Sequence, residues 1–114
     1  MNPLSKDLTA ASSIPLILSI LSQGENYGYE IIQKVHLLSD GAVEWTDGML
    51  YPVLHKMEKR GLVDAYWKVA DNGRKRKYYR INEQGRRQLQ KEQSAWNLVN
   101  SIFNQLWKTD PHSI

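Results

Sequence analysis

Apolar residues first recur at Leu8, Ala11, Ile14, Ile17, Leu18 and Leu21, the spacing of a helix that ends by Gly24. Pro15 lies inside this run and either kinks the helix or divides a loose N-terminal arm from a regular half starting near Ser13. From Ile14 to Leu21 nearly every position is apolar, which predicts a central segment packed on more than one side. Met1 to Ser5 lacks the pattern and reads as frayed. A second period, Ile31, Ile32, Val35 and Leu38, predicts a helix from Tyr27 to about Leu38, capped by Asn26. Ser39-Asp40-Gly41 is turn chemistry, and the alternation of Val43, Glu44 and Trp45 predicts a short strand.

The pattern is clearest between Thr46 and Gly61. Leu50, Leu54 and Met57 form one apolar stripe with Val53 beside it, while Tyr51, His55, Lys56, Lys59 and Arg60 fall on a wetter face. Thr46 suits an N-cap, Asp47 complements the positive end of the helix dipole, and Gly61 suits the left-handed residue that ends a helix. Pro52 interrupts the amide ladder, so either the turn from Thr46 to Tyr51 is loosened or the helix begins near Pro52; the leucine spacing across the proline favours the first.

Period two follows. Leu62 to Val69 alternates, with Val63, Ala65 and Trp67 on one face and Asp64, Tyr66 and Lys68 on the other. Asp71-Asn72-Gly73 is a hairpin turn, and Lys75 to Ile81 returns with Tyr79 and Ile81 inward. Asn82 caps a last helix to about Trp107. Its apolar positions Leu89, Trp96, Val99, Phe103 and Leu106 follow a coiled-coil seam, broken once at Glu92. The element order predicts a mainly α fold with a small β-wing: a winged helix-turn-helix over 1–82 and a long C-terminal dimerisation helix over 83–114.

Charge changes the picture through its distribution. The chain has 15 basic and 12 acidic residues, formally +3, too little to coat a polyanion. Yet Gly73 to Arg80, GRKRKYYR, holds five cations in eight residues, beside a helix with a basic face. That concentration is an electrostatic footprint for double-stranded DNA. The candidate DNA contacts are Thr46, Asp47, Gly48, Tyr51, His55 and Lys56 on the third helix, and Arg74, Lys75 and Lys77 on the hairpin, which meet phosphates. Tyr27 and Gly28 join them, because a helix N-terminus offers amides to a phosphate. Arg76 and Arg80 either do the same or pair with acids such as Asp64 across the sheet.

Trp96 has two readings, dimer packing or one wall of a slot edged by Gln93, Asn97 and Asn100. Catalysis has little support. Cysteine is absent, His36, His55 and His112 lack metal-ligand spacing, and there is no glycine-rich phosphate loop. No cofactor is expected. With no apolar run of membrane-span length and no signal-peptide pattern, a cytoplasmic protein is expected.

Four ordered blocks carry a resemblance: Tyr27-Gly28-Tyr29-Glu30-Ile31, Gly48 to Leu54, Glu58 to Val63, and Arg76 to Ile81 with Gly85 following. In these the chain resembles the PadR-like transcriptional regulators. The resemblance implies a homodimeric repressor on an inverted-repeat operator, released by a small molecule or another signal. The short C-terminal part with Trp96 is similar to a small subgroup of multidrug-sensing repressors, in which paired tryptophans sandwich a flat aromatic effector. In that subgroup the first helix helps to wall the cavity, which adds Leu8 and Ala11 to the ligand candidates. The chain departs from the family pattern at Met49, where many members have Ser or Thr, at Pro15, and at polar Gln93. The alternative is a winged-helix protein-interaction module without ligand sensing.

Overall fold

Among residues 3–108, which the computed structural model describes, the order is α1 (Lys6–Leu21), β1 (Asn26–Tyr27), α2 (Gly28–Leu38), α3 (Asp47–Lys59), β2 (Val63–Val69), β3 (Lys75–Ile81) and α4 (Glu83–Trp107). The helix from Asp47 crosses Pro52 unbroken. Thr46 caps it, its hydroxyl accepting from the Met49 amide at 3.2 Å. Leu50, Leu54 and Met57 are fully buried, as their spacing predicts. At the far end Gly61 has φ +73°, a conformation that disfavours any Cβ. The Gly61 amide then donates to the Glu58 carbonyl at 3.0 Å and the Leu62 amide to the Met57 carbonyl at 3.0 Å. This paired closure satisfies two carbonyls that a helix end would leave bare, and it turns the chain into β2.

Helix α1 also runs through its proline, from Lys6, so the loose arm before Ser13 does not form. Ser5 caps it by accepting from the Leu8 amide at 3.0 Å. It ends at Leu21 with Ser22 as C-cap, and Gly24 falls two residues further on. Ile17 and Leu18 are fully buried at the centre of the molecule.

Three expectations from the sequence fail. Asn26 does not cap α2: with Tyr27 it forms β1, paired antiparallel to β3 as Asn26↔Tyr79 and Tyr27↔Tyr78. The open edge of β3 recruits these two residues, and Tyr27 becomes the N-cap position. Val43 and Trp45 are buried around exposed Glu44 but form no strand: both side chains pack into the core from a segment that pairs with none of β1, β3 and β2. Leu38 is exposed, since the last turn of α2 overhangs a core that Ile31 and Val35 fill. Trp67 shares the inner face with Val63 and Ala65, but β2 has left the core by then and the indole is 67% exposed.

The hairpin register runs from Val63↔Ile81 to Val69↔Lys75. Near its base, Val63, Tyr79 and Ile81 seal the core. Asn82 joins two corners there: its Oδ1 accepts from the Gly85 amide at 2.9 Å, and its Nδ2 donates to the Gly61 carbonyl at 2.9 Å. Gly85, in the first turn of α4, is pressed against the Leu62 carbonyl and the Ile81 side chain. The first half of α4 packs on α1 and buries Leu89. The second half leaves Val99, Phe103 and Leu106 exposed, with Leu98 and Ile102 beside them. The molecule is a winged helix-turn-helix with a projecting arm, 61 × 31 × 22 Å overall.

Candidate nucleic-acid interface

The wet face of α3 and the distal hairpin enclose an open groove of about 770 Å³. Tyr51 and His55 line it from α3, and Arg74, Lys75 and Lys77 from the wing. Tyr27 and Tyr29 reach it from the start of α2. Thr46, Asp47, Gly48 and Lys56 are exposed on α3 but do not line this groove. Gly28 is buried, and the Tyr51 ring lies over it: a Cβ there would sit 2.7 Å from the Tyr51 hydroxyl oxygen. Gly28 therefore seats a groove tyrosine.

The five wing cations divide by their partners. Arg74 and Lys75 are exposed at the hairpin end. Lys77 is half-buried, its ammonium 3.4 Å from Glu58 Oε1, and this ties the wing to α3. Arg80 lies opposite Asp64 in register, 4.0 Å from its carboxylate, with its guanidinium 5.3 Å from the centre of the Tyr66 ring. Arg76 stacks on Tyr27 at 4.4 Å. Arg76 and Arg80 thus have structural partners, and Arg74 and Lys75 remain as the wing's outermost charge.

Behind the groove, the outer face of the sheet carries a ladder of rings. Tyr27 meets Tyr78 edge-on at 5.3 Å, and Tyr78 stacks with Tyr66 at 6.1 Å. Glu25 fastens the ladder to the loop after α1. A hydrogen bond from the Tyr66 hydroxyl and the Lys68 ammonium at 3.4 Å hold the Glu25 carboxyl below the usual carboxylate range. The same hydrogen bond, with some burial, raises the Tyr66 phenol. Burial raises the Tyr79 phenol, helped by nearby Glu58 and Tyr51. Sequence reasoning did not single out Glu25, Trp67 or Glu58 as site residues, and of Tyr27 and Tyr29 it chose Tyr27. Glu25 and Glu58 act through residues distant in sequence. Alternation puts Trp67 on one face with Val63 and Ala65 and gives no sign of its role.

A second groove, about 420 Å³, lies between α1 and α4. It brings together Leu8, Gln93, Trp96 and Asn97, with Pro15 and half-buried Glu92 on its wall. Ala11 and Asn100 are exposed and do not line it. Among the described residues no three His, Cys, Asp or Glu side chains gather as a metal site, and His112 lies outside those residues. None of the described helices is long and apolar enough to cross a membrane.

Comparison with known proteins places this geometry among relatives. The family model of the transcriptional regulator PadR-like family matches residues 17–91. The fold is similar to the crystal structure of a PadR-like transcriptional regulator from Bacillus cereus strain ATCC 14579, with TM-score 0.80 and 32% identity over 92% of this chain and 100% of that one. The chain is 32% identical to an uncharacterised protein of Lysinibacillus sphaericus, over 78% of this chain and 82% of that protein. It is 26% identical to the transcriptional regulator YqjI of Escherichia coli K12, over 74% of this chain but 39% of YqjI.

Proposed function

The chain belongs to the PadR-like family of transcriptional regulators, and from that premise we propose that it is a dimeric, sequence-specific DNA-binding repressor. One observation carries the reading: Tyr51 and His55 on α3 and the outermost cations of the wing, Arg74 and Lys75, border one groove. An exposed polar helix face fits a major groove, where base edges can be read. Cations beside it fit the flanking phosphates. Two such surfaces related by a two-fold axis would read an inverted repeat, with the α3 helices roughly 34 Å apart. The exposed apolar half of α4 supports dimer formation, because Val99, Phe103 and Leu106 otherwise face water. Such a protein acts in the cytoplasm, where the chromosome is.

Salt dependence tests the DNA reading. Each neutralised phosphate adds about 0.9 to the slope of log affinity against log salt. Replacing Arg74 and Lys75 together with Ala should weaken binding to all duplexes and lower that slope by about 2. Lys77→Ala should lower it less, because Glu58 already holds that ammonium. An unchanged slope in the double variant would remove the wing from the phosphate interface. A protein-binding wing would show no steep slope at all.

The groove between α1 and α4 supports the second half of the proposal, release by a small planar effector. Its wall is mostly apolar, with Gln93 and Asn97 at hand for polar contacts. The effector must prefer one dimer geometry over another, since only differential affinity shifts an equilibrium. In a variant with Trp45, Trp67 and Trp107 changed to Phe, planar aromatic dyes should quench Trp96 emission and compete with operator binding. Dyes that saturate the protein while operator affinity stays constant would show a pocket without a sensor.

A further inference from the structure

The inner face of the wing has two parts. At its base, Val63 and Tyr79 pack on the core. Beyond them the same face carries Trp67 and Val69, 67% and 60% exposed, opposite Lys77 and Lys75 in register. Among the described residues no ring, cation or carboxylate engages the Trp67 indole. It borders the groove that Tyr51 and His55 line from α3. A solvated hairpin needs no tryptophan for its fold, and phosphate binding needs none for its charge. An exposed indole framed by lysines, on the groove side and not on the outer side, asks for an occupant with both an anionic and an apolar part.

Deoxyribose and base edges next to phosphates have that combination. A helix fills a major groove about 12 Å wide, so the element beside it meets the bounding backbone and then the minor groove. Apolar side chains at that place pack on sugars or wedge between base steps. We infer that Trp67 is a DNA-contact residue, its indole packing on deoxyribose and base edges in the minor groove that flanks α3. It supplies a part of the binding that does not come from charge. This inference rests on the DNA-binding reading above and adds a contact to it.

The test separates the two. Wild-type protein first recovers a duplex from a random-sequence pool, and that duplex is the probe for every variant. Affinities of wild type, Trp67→Ala, Trp67→Phe and Lys75→Ala are then measured over a range of salt. An apolar contact releases no counterion, so Trp67→Ala should bind about tenfold more weakly with the salt slope unchanged. Trp67→Phe should retain most of the affinity, and Lys75→Ala should lower the slope by about 1. A direct reading uses fluorotryptophan: the resonance that Trp67→Phe removes identifies Trp67, and in labelled wild type it should shift when the duplex is added. Affinity of Trp67→Ala within about twofold of wild type, a fall in its salt slope, or a Trp67 resonance that stays in place would overturn the contact while leaving DNA binding intact. Failure of wild type to recover any duplex would overturn the DNA reading itself, and the contact with it.

Discussion

Gly85→Ala should lower the melting temperature by about 10 °C, corresponding to a loss of roughly 2–3 kcal/mol. Alanine is the best helix former, so propensity alone favours the substitution by about 1 kcal/mol. Packing opposes it. A Cβ at Gly85 would meet the Leu62 carbonyl, which is backbone and cannot swing aside, and would lie 2.8 Å from Ile81 Cγ1. Either α4 lifts from the corner between α3 and β2, or that corner shifts and disturbs the Asn82 bond to the Gly61 carbonyl. Gly48→Ala is the control, because the nearest atom to its Cβ would be Thr46 Oγ1 at 3.9 Å. Thermal unfolding followed by circular dichroism compares the two. A Gly85→Ala protein that melts within about 2 °C of wild type would show that this corner yields freely.

Phe103→Asp should convert the proposed dimer to a monomer, with a dissociation constant raised at least about a hundredfold. The side chain sits in the exposed apolar half of α4, and its ring stacks on Trp107 at 4.3 Å. A carboxylate buried in such a seam without a partner costs several kcal/mol. The change touches no residue of the monomer's core, so the variant should keep its fold. Sedimentation over a concentration series reads the assembly. Loss of the dimer should also remove cooperative binding to an inverted repeat, since one recognition helix meets only one half-site. A Phe103→Asp protein that stays dimeric would move the interface to another surface.

The elements with a sustained period were legible in the sequence. Leu50, Leu54 and Met57 mark the buried face of α3 across Pro52, and Tyr79 with Ile81 marks the inner face of β3. What escaped was decided by position relative to other elements. Two residues, Asn26 and Tyr27, are too few to show any alternation, and they became a strand because the β3 edge was open. Val43 and Trp45 alternate like a strand and are buried in the core without pairing to the sheet. Leu38 and Trp67 keep the period of their elements beyond the point where the core ends. At the candidate interface, the clustering of cations was visible and the pairing of Arg80 with Asp64 was one of two open readings, whereas the tie between Lys77 and Glu58 was not visible. Lys77 is claimed by Glu58, and Arg80 by Asp64 and Tyr66. Those assignments depend on chain reversal at the hairpin and on the angle between wing and helix.

The arm formed by α4 has a mechanical consequence. Its 25 residues make a rod about 37 Å long. One end is clamped where Gly85 meets the Leu62 carbonyl and Asn82 bridges to Gly61, a few residues from the C-terminus of α3. The other end carries the apolar seam. A rod fixed at one end is a lever: a tilt of about 5° at the clamp displaces the far tip by roughly 3 Å. In a dimer joined at the tips the motion runs in reverse, and a small tilt swings two heads apart by about twice that. Anything wedged between α1 and α4 works close to the fulcrum, where a slight change in fit is amplified most. The spacing of two α3 helices would then be set by how tightly α4 lies against α1.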